Sequence, residues 1–263
     1  MDVWRRNHIT DLPGPGPALL YAHGFGCHQD MWADITPAWR GQHRQVLFDY
    51  VGSGRSDPAA FSAHRYRHLQ GYAQDLLEVC EATGLTRDVV VVAHSVSCSI
   101  AMLAAIERPQ WFRHLILVGP NPCFVNDPPY SGGFERSDLV ELLELMEHNY
   151  MGWADVLAPA VAAGHEPVRR TLRESFCSTD PVMAKTFAEA TFFSDNRADV
   201  PKVPTPCLIL QHARDALAPV SVGEYLHAHL PQSRLQVLDV AGHCAHMSHP
   251  HLVIEAMRDV LST

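Results

Sequence analysis

A chain of 263 residues is long enough for one sizeable core, and 47% hydrophobic with 19% charged residues is the balance of a globular protein, not of a disordered or membrane-embedded one. The formal net charge of −9 and the lack of any Lys/Arg cluster set nucleic acid aside as a partner. No window approaches the roughly 18 apolar residues of a spanning helix, and the N-terminal MDVWRRNH has no apolar signal segment, so a cytoplasmic protein without a membrane partner is expected.

Short apolar runs at residues 18–22, 45–48, 89–93, 114–118, 207–210 and 235–238 read as strands buried on both faces. Between the second and third, Tyr72, Leu76, Val79, Cys80 and Thr83 fall at spacings of three and four, one stripe of a helix over 71–83. Strand, helix and strand at this spacing make a parallel crossover. Residues 122–200 break the rhythm with helical patterns alone and read as an insertion of four lid helices. In it Ser137 is expected to cap a helix carrying Leu139, Leu142, Leu143, Met146 and Tyr150, and Asp180-Pro181 to open another. Three prolines within residues 201–206 return the chain to strand pattern. The core is therefore expected over 1–121 and 201–263.

Ser95 ends the third apolar run and begins a helical pattern, in VVVVAHSVSCSIAM. It is a small residue at a tight turn, or a nucleophile on a strand-to-helix elbow, where the turn lifts the hydroxyl above the sheet and aims amides at a developing oxyanion. The usual glycines of G-x-S-x-G are Ala93 and Ser97 here, so the motif alone does not choose. A serine needs a base and an orienting acid. Asp215 in LILQHARDALAP and His243 in LDVAGHCAHMSHP each follow a strand, at the ends where open α/β sheets build their sites. The order Ser95, Asp215, His243 is that of the α/β-hydrolase fold. On this reading Phe25, in the HGFG turn after the first run, and Val96 donate backbone N–H groups to the oxyanion.

HGFGCHQDMW, LFDYVGSGRSD, AHSVSCSIAM, GPNPCFVNDPPYSGGF, RESFCSTDPV, FFSDNRADV and AGHCAHMSHP together closely resemble the bacterial RsbQ-type stress-signalling hydrolases, over nearly the whole chain. The same landmarks more distantly resemble the plant karrikin and strigolactone receptor hydrolases. The resemblance implies an α/β-hydrolase fold with a four-helix lid over an apolar pocket, acting on a small hydrophobic ester or butenolide-like lactone in signalling, with no cofactor. It also implies a partner, a PAS-containing phosphatase, and a pocket lined by Phe25, Phe124, Phe134, Trp153 and Phe192, each of which reads equally as core from the residues alone. A ligand-sensing regulator with incidental turnover and a carbon–carbon bond hydrolase share the same fold and residues.

Other signals read as structure. The glycines of YVGSGRSD lack a third glycine and an acidic ribose partner, and read as turn-formers. His243, His246, His249 and His251 lack metal-site spacing. His94 and Cys98 read as packing, and Asp127, Glu135 and Asp138 as a solvated face. Seven cysteines without a CxxC pair read as reduced thiols.

Overall fold

Val89, Val91 and Ala93 face one side of a sheet and Val90 and Val92 the other, all five buried, as period-two geometry requires of a strand covered on both faces. The computed structural model describes residues 2–262. Among these, β1 (Thr10–Leu12), β2 (Gly16–Ala22), β3 (His43–Leu47), β4 (Val89–His94), β5 (Phe112–Val118), β6 (Cys207–Arg214) and β7 (Ser233–Ala241) form one sheet in the order β1-β3-β2-β4-β5-β6-β7. β1 is antiparallel to β3 and the other pairings are parallel. The six expected runs lie within β2 to β7, except that Phe48 falls just past the end of β3. β1 gives no apolar signal because it is three residues long with Asp11 at its centre. Arg44 of β3 binds both oxygens of that carboxylate, at 3.0 and 2.6 Å.

The helices before the insertion are α1 (Val3–Arg6), α2 (Ala63–Tyr66), α3 (Leu69–Thr83) and α4 (Val96–Glu107). The stripe of α3 is buried as its spacing predicts, and the helix stops at Gly84, whose φ of 70° is the left-handed C-cap that glycine adopts without a Cβ penalty. Between β5 and β6 come α5 (Arg136–His148), α6 (Tyr150–Ala162), α7 (Glu166–Ser178) and α8 (Pro181–Phe192). Asp180 caps α8, its Oδ1 accepting from the Val182 and Met183 amides. Ser137 is not the cap of α5. Glu135 takes that place in a reciprocal capping box with Asp138, and the longer carboxylates reach the free amides. Tyr150 begins α6, because Asn149 ends one helix and caps the next through Gly152. The chain finishes with α9 (Val220–His229), α10 (Ala245–Ser248) and α11 (Pro250–Leu261).

α3, α4 and α9 cover one face of the sheet through Leu76, Ile100 and Val222. Trp32 and, from α11, Val253, Ala256 and Met257 cover the other, in a buried cluster that the apolar faces of α5 to α8 continue. Among the described residues no helix is long and apolar enough to cross a membrane.

The loops after β2 and β3 are tied together by Asp49, whose Oδ1 accepts from the Gln29 amide at 2.8 Å and Oδ2 from the Arg55 amide at 2.9 Å. Gly54 makes the approach possible, since a Cβ there would stand 2.6 Å from Asp49 Oδ2. Each amide left unsatisfied in a buried site costs about 1–3 kcal/mol. Asp49→Ala is expected to lower stability by about 2 kcal/mol or more in urea unfolding, with Asp49→Asn, which keeps one acceptor, losing less.

Candidate active site

Ser95 alone turns the chain from β4 into α4, with φ 57° and ψ −126°, a region that costs a non-glycine residue about 1–3 kcal/mol. The conformation is held on both sides, the Ser95 amide donating to Val118 O at 2.9 Å and its carbonyl accepting from Cys98 N at 2.9 Å. The early loop passes close by, because a Cβ on Gly24 would lie 2.5 Å from His94 Nδ1 and 3.4 Å from the Ser95 Cβ.

Asp215 and His243 meet this serine from the ends of β6 and β7. Asp215 Oδ2 lies 2.6 Å from His243 Nδ1, and an ionised carboxylate only accepts, so Nδ1 carries the hydrogen. His243 Nε2 is then a lone pair, and it faces Ser95 Oγ at 2.8 Å, so the hydroxyl donates to the ring. The other carboxylate oxygen accepts from the Leu217 and Ala218 amides at 2.8 and 3.2 Å. Burial alone would push the Asp215 carboxyl up; His243 and His212 outweigh it and hold the group well below the ordinary carboxylate range. Gly119, at φ 60°, lets both rings pack over the end of β5, where a Cβ would meet each Cε1 at 3.2 Å.

His94 donates from Nε2 to the His243 carbonyl at 2.9 Å, a packing role that fixes the loop. Burial first, then the neighbouring imidazoles, holds His94 and His246 well below the ordinary histidine range. Cys98 Sγ packs against the Ala93 and Val118 carbonyls at 3.4 and 3.7 Å, and burial pushes the thiol up, so the cysteine offers no nucleophile. Among the described residues, two groupings bring His, Cys or Asp donor atoms within 4.8 Å: His94, Cys244 and His246, and His212, Asp215 and His243. In the second, the donors are already bonded to one another.

A narrow cavity borders Ser95 and His243, lined by Phe25, Phe124 and Phe192 with Leu157, Leu172 and Phe176. Phe134 and Trp153, expected in this lining, lie elsewhere. The backbone of Phe134 is bonded to Phe124 and Asn126, which holds the residue in the bridge ahead of α5. Trp153 is fully buried on the far side of Phe25, ring centroids 5.9 Å apart, beside a second, smaller crevice. The spacing of Phe176, Leu172 and Leu157 marks them as helical core, not as pocket. Thr191, whose buried hydroxyl has no partner, and His212 give no signal in the sequence beyond their position next to Phe192 and before Asp215.

Among the discounted signals, Gly52 and Gly54 have φ of 91° and 53°, and Asp57 caps the short helix after them, as turn-formers do. The acids read as a solvated face are exposed yet engaged. Asp127 pairs with Arg197 at 2.8 Å, and Glu135 and Asp138 make the capping box. All seven cysteines are free and lie among the described residues.

Residues 19–256 match the model of the "Alpha/beta hydrolase family". The chain is 38% identical to a probable esterase of Oryza sativa subsp. japonica over 98% of this chain and 96% of that protein. It is 34% identical to the karrikin insensitive 2 receptor CA of Petunia hybrida, again over 98% and 96%. A solved hydrolase from Oleispira antarctica superposes with a TM-score of 0.97 at 44% identity, covering 100% of this chain and 97% of that one.

The elbow carries its own test. Ser95→Ala and Ser95→Gly both delete the hydroxyl, and only glycine relieves the left-handed strain. After the greater freedom of glycine in the unfolded chain is subtracted, the Gly variant is expected to be more stable than the Ala variant by about 1 kcal/mol in thermal or urea unfolding.

Proposed function

Because this chain belongs to the alpha/beta hydrolase family, we propose that it is a serine esterase or lactonase in which Ser95, His243 and Asp215 form the catalytic triad. The observation that carries the reading is the continuous hydrogen-bond chain, 2.8 Å from Ser95 Oγ to His243 Nε2 and 2.6 Å from His243 Nδ1 to Asp215 Oδ2. His243 takes the hydroxyl proton as Ser95 attacks the ester carbonyl, and the ionised Asp215 stabilises the imidazolium. The tetrahedral oxyanion is received by the amides of Phe25 and Val96, the second at the N-terminus of α4. The imidazolium returns its proton to the leaving alkoxide, giving alcohol and an acyl-serine. Water, deprotonated by the same ring, then releases the acid and restores Ser95.

Residues 122–200 serve as a lid over this site. The small apolar cavity supports a short hydrophobic acyl ester or a butenolide-like lactone as substrate, because a dry aromatic wall favours apolar groups and strengthens bonds to the oxyanion. The seven free thiols support a reducing, cytoplasmic setting.

One observation favours a second reading. A relative that matches nearly the whole chain is named a receptor, which supports a ligand sensor coupled to a signalling partner, a PAS-containing phosphatase on the RsbQ-type resemblance.

Wild-type protein is expected to hydrolyse p-nitrophenyl acetate and butyrate and to accumulate an acyl adduct on Ser95 visible by intact mass, while Ser95→Ala loses about a thousandfold or more. Undiminished turnover by Ser95→Ala would end the hydrolase mechanism. Activity is expected to fall steeply for p-nitrophenyl palmitate, whose chain is far longer than the narrow aromatic-lined cavity beside Ser95. For the sensor reading, a lactone ligand is expected to shift the melting temperature of Ser95→Ala as much as that of wild type; a shift seen only with the intact serine assigns the signal to turnover.

A further inference from the structure

Asp215 serves two imidazoles. Its Oδ2 accepts from His243 Nδ1 at 2.6 Å and also from His212 Nδ1 at 3.1 Å, while Oδ1 is occupied by the Leu217 and Ala218 amides. His212 stands at the carboxyl end of β6, three residues before Asp215, fully buried, with its ring centroid 6.3 Å from that of His243. The carboxylate fixes its hydrogen on Nδ1. Its Nε2 is buried without a hydrogen-bond partner, so the ring's one hydrogen bond is the one to Asp215.

We propose that His212 is a positioning residue that tunes His243 through Asp215: by donating to the very oxygen that His243 uses, it withdraws part of the negative charge that would stabilise the His243 imidazolium and lowers the basicity of that ring. The proposal rests on the serine-hydrolase reading above. A hydrogen bond to the charged form of an acid favours that form and spreads its charge. Two donors on one oxygen therefore leave each with a weaker counter-charge than one alone. His243 then gives up its proton to the leaving group more readily and remains a neutral base further into acid.

The groups facing this pair leave the effect readable. Asp215 stays ionised, held down by both rings against its burial. His94 from β4 and His246 from α10 are kept neutral by burial, and His249, before α11, is also lowered by burial first and then by neighbouring imidazoles. Burial pushes the Cys27 thiol up to about 12 and Cys244 well above its usual value. Neither His94 nor His246, nor either thiol, gains charge where a histidine-limited profile is measured.

The test is the pH profile of kcat/KM on p-nitrophenyl acetate for wild type, His212→Ala and His212→Asn. The Asn side-chain amide can present a donor where Nδ1 stands, so it rescues the hydrogen bond without the ring. With alanine the acid limb is expected to move to higher pH by about half a unit to one unit, a loss of roughly threefold to tenfold at pH below the limb, and with asparagine to return toward wild type. An acid limb unmoved in His212→Ala, in protein whose turnover is abolished by Ser95→Ala, overturns the proposal. Wild type without Ser95-dependent turnover would instead overturn the hydrolase reading; nitrogen NMR titration of the His243 ring in the same variants then reads its proton affinity directly, an upward move supporting the tuning role and an unchanged titration overturning it. Should His212→Ala fail to fold, His212→Gln, whose amide reaches the Nε2 position and leaves Oδ2 with one donor fewer, takes its place in both measurements.

Discussion

A carboxylate taken out of water keeps its charge only where donors replace the water, and the site is built around meeting that condition at Asp215. Four N–H groups surround the carboxylate, two from the backbone of its own loop and two from imidazoles. The ionised acid dictates the tautomer of His243, the tautomer puts a lone pair toward Ser95, and that lone pair makes the hydroxyl a donor. The direction of the serine's hydrogen bond thus descends from solvation of a residue that never touches it.

The sheet is legible in the sequence because parallel strands covered on both faces must be apolar throughout, and runs such as 89–93 and 207–210 announce that directly. β1 escapes because an edge strand needs only one hydrogen-bonded neighbour and tolerates Asp11 when Arg44, two positions along β3 from its register partner Val46, reaches its carboxylate. The cap of α5 is misread for a related reason. Ser137 has the commoner capping chemistry, but Glu135 and Asp138 satisfy each other's amides in a geometry that sequence spacing shows only in hindsight.

At the site, Ser95, Asp215 and His243 can be picked out because each follows a strand, and strand ends of one parallel sheet converge. The cavity wall is harder. Phe25, Phe124 and Phe192 do face it, whereas Trp153 is separated from it by the Phe25 ring and Phe134 is held away by its backbone pairing. Nothing in composition distinguishes an aromatic residue that lines a void from one that fills it. His212 is hidden for another reason, since a histidine inside a strand reads as a tolerated polar residue until its neighbour three positions on is known to be the buried acid.

The helices that cover the cavity are bonded to the loops that carry His243 and Phe25. The amide of His243 donates to the Val161 carbonyl near the end of α6 at 2.8 Å, and Ser175 on α7 donates to the Gly26 carbonyl at 2.6 Å, in the loop that holds Phe25. A cover fastened at both the His243 and the Phe25 loops cannot swing clear as a rigid door without breaking these bonds. Any displacement that spreads α6 from α7 therefore pulls on the loops of His243 and Phe25 at the same time.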